Sequence, residues 1–139
     1  REFDVVVQMA KAYQSNNFKV TLKGQSLDTV LSQSDCLTIH TPGSAEVIGT
    51  AEIAQMKAGS VLINCARGGV VNEVALAEAL QSGQISCAGV DVFENEPPTN
   101  DLMISQDNCS LSPHIGASTK EAQERVGIEL AEKITGFFK

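Results

Sequence analysis

The sequence predicts an α/β fold built on a doubly wound parallel sheet. Three observations predict it. Apolar runs of strand length, SVLINC at 60–65 and SCAGVDVF at 86–93, lack polar alternation, as strands buried on both faces do. Segments with helix start and stop signals lie between such runs, the plainest being Asn72, then EVALAEALQS, then Gly83. The two kinds of segment alternate along the chain, which is the pattern of a parallel sheet joined by helical crossovers.

Taken in order, residues 3–13 (FDVVVQMAKAY) read as a helix despite their consecutive valines, and 18–22 (FKVTL) as a short strand. Ser26 caps a helix over LDTVL. Residues 35–41 (DCLTIHT) form the next strand, and Pro42-Gly43-Ser44 the loop after it. Thr50 starts a short helix, AEIAQM, which Lys57-Ala58-Gly59 ends. The 60–65 strand leaves through Ala66-Arg67-Gly68-Gly69 into the helix between Asn72 and Gly83. After the 86–93 strand comes the proline-rich loop ENEPPTND, then a short strand over 109–112 ending at Pro113. Ser118-Thr119-Lys120-Glu121 reads as a capping box that opens a long helix to about residue 137. Val126, Ile128, Leu130 and Ile134 of that helix should pack on protein, with its charged residues forming a solvated face. Helices should cover both faces of such a sheet.

Composition narrows the function. The 139 residues fit one domain. Ten basic against 17 acidic side chains leave a net charge of −7, which argues against neutralising a nucleic-acid backbone. With no Trp and one Tyr, stacking on bases is poorly supplied. No apolar run approaches the roughly 20 residues that span a bilayer. Arg-Glu-Phe-Asp does not open a signal peptide. Cys36, Cys65, Cys87 and Cys109 form no CxxC and no zinc spacing; they read as small buried residues in a reducing, cytoplasmic compartment. No metal is expected.

Parallel sheets bind ligands beyond the carboxyl ends of their strands. Four loops leave those ends: His40-Thr41-Pro42; Asn64-Cys65-Ala66-Arg67-Gly68-Gly69; Asp91-Val92-Phe93-Glu94-Asn95-Glu96-Pro97; and Pro113-His114-Ile115-Gly116-Ala117-Ser118. Together they gather an arginine, several carboxylates and a histidine. A guanidinium grips a carboxylate at two points. A histidine takes a proton from an alcohol near neutral pH, and a neighbouring carboxylate holds its ring in one tautomer. Such groups suit alcohol-to-ketone oxidation but supply no electron acceptor, so a nicotinamide is needed. By composition alone Asp91, Glu94 or Glu96 could serve the histidine. Asp91, inside an apolar run, needs a specific partner, either ligand or backbone amide. His40 reads as structural.

MKAGSVLINCARGGVVNEVALAEAL resembles the arginine-bearing signature of the D-isomer-specific 2-hydroxyacid dehydrogenases, GVDVFENEPP the glutamate-bearing one, and SPHIGASTKEAQERVGIELAEKI the histidine-bearing one. The last, through GASTKEAQ, resembles the D-3-phosphoglycerate dehydrogenases of that family in particular. The resemblance implies a Rossmann-like domain with NAD as cofactor. It implies Arg67 on the substrate carboxylate, His114 as general acid/base and Glu96 paired with His114. It puts Asp91 at the nicotinamide end, and Thr41, Cys65, Ala66, Arg67, His114, Ile115, Gly116 and Ala117 along the cofactor. Gly68 and Gly69 would let the backbone pass close to ligand. The implied reaction oxidises 3-phospho-D-glycerate to 3-phosphohydroxypyruvate in serine biosynthesis. A small-molecule substrate and a homodimer or higher homo-oligomer follow from the same resemblance; composition already argues against a nucleic acid or membrane partner.

The sequence departs from that family in places. No GxGxxG pyrophosphate loop occurs, and residues 1–13 resemble the helix that follows one. Neither Asp4 nor Asp28 stands where the family has its ribose carboxylate, so NAD against NADP is not read from the residues. The segment GSAEVIG is shorter than usual, and no substrate domain is visible. The expectation is therefore a partial NAD-binding domain over 1–139, inactive alone, as a fragment or a shortened homologue. Three readings stay open beside the phosphoglycerate one: a glycerate/hydroxypyruvate or other D-2-hydroxyacid dehydrogenase, an NAD-sensing corepressor-like protein, and an inactive dimerising remnant.

Overall fold

A computed structural model of the chain describes residues 24–138. The helix read at 3–13 and the strand read at 18–22 lie outside the described residues. Helix α1 (Leu27–Gln33) begins where the Ser26 hydroxyl accepts the Thr29 amide at 3.3 Å. Strand β1 (Cys36–Ile39) leads through the Gly43 turn to α2 (Thr50–Gln55), whose Glu52 carboxylate accepts the Gly49 amide at 3.0 Å. Strand β2 (Ser60–Asn64) precedes α3 (Glu73–Ser82). Asn72 caps α3 by accepting the Ala75 amide at 2.9 Å, and Gly83 ends it at φ 78°, a left-handed conformation that favours glycine. Strand β3 (Ile85–Val90), helix α4 (Asp101–Ile104), strand β4 (Cys109–Leu111) and helix α5 (Lys120–Phe137) complete the order.

The elements differ from the sequence reading in places. Strand β3 stops at Val90, not residue 93; Asp91, Val92 and Phe93 are buried but lie past the ladder. Helix α4 is one turn, capped by the Asn100 side chain on the Met103 amide, and a single turn shows no periodicity to read. The cap of α5 is Thr119, accepting the Ala122 amide at 3.2 Å, because the Ser118 hydroxyl is turned back to the His114 carbonyl.

All four strands are parallel in the order β1-β2-β3-β4. Right-handed crossovers that keep adding strands on one side place every connecting helix on the same face. The alternation of burial agrees. Leu62, Asn64, Ala88 and Val90 point into the helical layer and are buried, whereas Cys36, Thr38 and Cys87 on the other face are exposed. Among the described residues helices cover one face of the sheet; residues 3–13, read as a helix, lie outside them. The core between sheet and helices centres on Leu31, Leu62, Leu76, Ile85 and Met103, each contributing about 1.5–3 kcal/mol on full burial.

Two further expectations change for the same reason. Cys36 and Cys87 stand on the open face and Cys65 in an exit loop, so these three are exposed rather than buried, and only Cys109 is half-buried. None of the residues of α5 is buried; Val126, Ile128, Leu130 and Ile134 are all at least half exposed, so that helix does not pack on the described residues.

Candidate functional site

The register brings the four exit loops level. Ile39 pairs with Asn64, Asn64 with Val90, and Val90 with Leu111, so every strand ends in one row. The loops carrying Thr41, Arg67, Glu96 and His114 therefore rise from one edge of the sheet, as the sequence reading expects.

Asn64 builds the Arg67 turn. This buried side chain accepts the Ala66 amide at 3.1 Å and donates to the Arg67 carbonyl at 3.3 Å. The Arg67 side chain is exposed, and its Nη1 donates to the Ala66 carbonyl at 2.6 Å. Gly68 does make a close approach, but to protein rather than to a ligand position. A Cβ there would collide with the Phe93 carbonyl, so the Arg67 loop lies directly on the start of the Glu96 loop. Glu73, in the first turn of α3, ties the same region down by accepting the Glu94 amide at 2.7 Å. The Glu94 side chain itself is exposed.

Glu96 and His114 meet. His114 Nδ1 lies 2.9 Å from each Glu96 carboxylate oxygen, although 18 residues separate them. Glu96 Oε1 also accepts the Phe93 amide at 3.2 Å. The hydrogen bond from the His114 ring, then that from the Phe93 amide, holds the Glu96 carboxyl below its ordinary range. An ionised carboxylate only accepts, so Nδ1 carries a proton, and in the neutral ring Nε2 keeps its lone pair. Phe93, Glu96, Pro97, Pro98, Pro113 and His114 line an open cleft of about 230 Å³.

The backbone of His114 is unusual. Its φ of 54° is left-handed, a region that few residues with a side chain adopt, histidine more often than most. Such a conformation costs of order 1–3 kcal/mol and persists only where neighbours impose it. Asp91 is the neighbour that does so. It is 6% exposed, and its Oδ1 accepts the Ser112 hydroxyl at 2.6 Å and the Ile115 amide at 2.9 Å, while Oδ2 accepts the Gly116 amide at 2.8 Å. Burial works to raise this carboxyl, but the Ser112 hydroxyl, the two amides and the charge of His114 outweigh it, and the group sits below its ordinary value of 3.8. Of the alternatives left open for Asp91, its partners here are backbone amides and a hydroxyl.

Thr41, Cys65, Ile115, Gly116 and Ala117 are all exposed along this edge, and Ala66 is buried beneath it. The Cys65 thiol is pushed up by desolvation of its sulfur and then by the Asp91 charge. His40 Nε2 lies 2.9 Å from the Thr38 hydroxyl and joins no other predicted site residue. The sequence reading puts Asn64 in its exit loop without a role, and it misses Glu73 and Ser112. Each acts on backbone or on another side chain, a role that leaves no spacing pattern; Ser112 alone had a signal, its place directly before Pro113-His114.

Among the described residues no group of His, Cys, Asp and Glu could hold a metal ion, and no helix is long and apolar enough to cross a membrane.

Residues 1–116 match the model of the D-isomer specific 2-hydroxyacid dehydrogenase family, NAD binding domain. A hydroxypyruvate reductase from Thermotoga maritima is 49% identical over 114 residues, covering 78% of this chain and 37% of that protein. A D-3-phosphoglycerate dehydrogenase from Archaeoglobus fulgidus is 42% identical over 125 residues, covering 87% of this chain and 24% of that protein. The solved structure of a D-lactate dehydrogenase from Aquifex aeolicus complexed with NAD and lactic acid is similar at a TM-score of 0.65 and 33% identity, covering 82% of this chain and 40% of that one. The chain thus spans between a quarter and two fifths of the length of these relatives. With one matched domain, a four-stranded parallel sheet and the Glu96–His114 pair at its carboxyl edge, the chain belongs to the D-isomer specific 2-hydroxyacid dehydrogenases, as their NAD binding domain.

Proposed function

We propose that the protein containing this domain oxidises a D-2-hydroxy acid with NAD, and that its substrate is 3-phospho-D-glycerate. The Glu96–His114 hydrogen bond carries the reading. With Nδ1 held by Glu96, Nε2 is the nitrogen free to take the proton of the C2 hydroxyl. Arg67 grips the substrate carboxylate through its planar fork and polarises the C2 oxygen. A bound nicotinamide supplies the two-electron acceptor that these side chains lack.

The residues fit that ring. Ile115, 47% exposed, sets an apolar side chain next to His114 at the polar edge, as a flat ring face requires. Thr41, the Cys65-Ala66-Arg67 turn and the His114–Ala117 loop would hold the cofactor, with Asp91 beneath its nicotinamide end. The long apolar stripe of α5 and the family resemblance support a homodimer.

The test is absorbance at 340 nm when the complete protein meets NAD and a panel of D-2-hydroxy acids. The expected result is turnover highest with 3-phospho-D-glycerate and lowered about 10²-fold or more by His114→Ala. Wild-type turnover in that variant would sink the mechanism. A second reading, reduction of hydroxypyruvate, is favoured by the identity to the Thermotoga protein of that name; it wins if hydroxypyruvate is the better substrate in the reverse direction.

A further inference from the structure

We infer that Ser112 is a positioning residue for His114, acting through Asp91 to fix the loop on which the histidine stands. This rests on reading His114 as the proton-carrying group.

The loop from Ser112 to Gly116 is closed onto one carboxylate from both ends. At its start the Ser112 hydroxyl donates to Asp91 Oδ1 at 2.6 Å; at its end the Ile115 and Gly116 amides donate to Oδ1 and Oδ2 at 2.9 and 2.8 Å. Between these anchors the His114 amide donates to the Ser112 carbonyl at 3.0 Å. His114 is the one residue of the segment held left-handed, at φ 54°. An unsupported histidine would relax out of that region, and its ring would leave Glu96. Asp91 is itself fixed, since its amide donates to the Asn64 carbonyl at 3.0 Å on the neighbouring strand. The clamp therefore references His114 to β2, the strand that delivers Arg67.

Of the three donors to Asp91, two belong to the backbone. Ser112 supplies the side-chain donor, and Pro113 beside it has no N–H to offer in its place. Deleting the hydroxyl leaves an anion in a buried site with one acceptor position unmet. The carboxylate is then free to shift, and with it the Ile115–Gly116 turn. Threonine keeps the hydroxyl.

The test uses the complete protein as wild type, Ser112→Ala and Ser112→Thr. Each is checked by thermal melting, then measured for NADH dissociation constant, kcat and the downfield proton resonance of the His114 ring Nδ1–H, identified by its absence in His114→Ala. The expected result for Ser112→Ala is loss of that resonance and a kcat about 10-fold lower with NADH affinity within twofold of wild type. Ser112→Thr should keep both resonance and kcat. An unchanged resonance in Ser112→Ala overturns the inference, as does a weakened NADH affinity with kcat intact at saturating cofactor. If Ser112→Ala does not fold, Ser112→Cys, whose thiol is of similar size but only a weak donor, carries the same test with the same readouts. The resonance reads the clamp even if no D-2-hydroxy acid is turned over, so a wrong substrate and a wrong clamp give different results.

Discussion

At the scale of single residues, the site divides charge between groups exposed along the sheet edge and groups spent on backbone. Arg67 is exposed and, among the described residues, its side chain bonds only its neighbour's carbonyl, so its remaining guanidinium donors are available to an anion. Arg67→Ala in the complete protein is expected to abolish substrate binding and turnover while leaving NADH binding within twofold, read by NADH fluorescence titration beside the turnover assay; unchanged turnover refutes its role. Asp91 belongs to the second kind, and its effect is on stability. Its carboxyl is held below 3.8, so it contributes stability that is fully present above that value and is lost as pH falls through its lower folded value. Glu96 shifts in the same direction but is exposed, so screening reduces what it contributes. The melting-temperature gap between wild type and Asp91→Asn should stay constant above about pH 5 and shrink below about pH 4. A gap independent of pH to pH 2 would mean that Asp91 is not depressed. The Glu96–His114 contact was legible because each of the two sits in a longer stretch that resembles a family signature. Ser112 and Glu73 were not, because a serine or a glutamate bonding a distant amide looks in sequence like any polar loop or helix residue.

At the scale of elements, the site depends on loops resting on loops. The Arg67 turn touches the Phe93–Glu94 backbone at Gly68 with no room for a side chain. Gly68→Ala should therefore push the Arg67 and Glu96 loops apart, costing about 1–3 kcal/mol of stability and lowering kcat with it. Urea unfolding and the turnover assay read the two effects, and a variant with wild-type midpoint and kcat would show that the loops are not in contact. Helix α3 was readable to the residue, since its Asn72 cap and Gly83 stop are local signals. The end of β3 was not, because Val92 and Phe93 continue the apolar run; what ends the strand is Asp91 turning to its three donors across 21 to 25 residues of sequence. The cap of α5 slipped by one residue for a similar reason, as Ser118 is drawn off by the His114 carbonyl.

At the scale of the whole molecule, the order of strands decides what is covered. Alternating strands and helices announced a parallel sheet, but the sequence does not say on which side each crossover falls. Four strands added successively in one direction put their helices together on one face and leave the other open among the described residues. The cysteines report on this directly. Cys36 and Cys87 stand on the open face, on either side of Val61 in one row of the sheet, and both are exposed. Cys109 points the other way, half-buried against the helical layer, where burial and then the neighbouring Cys87 push its thiol up to about 11. At pH 8 that leaves about one thiol in a thousand ionised, and the thiolate is the reactive form. Iodoacetamide on the 139-residue polypeptide at pH 8 should therefore alkylate Cys36 and Cys87 first, Cys65 more slowly, and Cys109 only after denaturation, as peptide mass spectrometry would show. Protection of Cys36 and Cys87 together would mean that the second face is covered. Early labelling of Cys109 would mean instead that the helical layer does not close over β4.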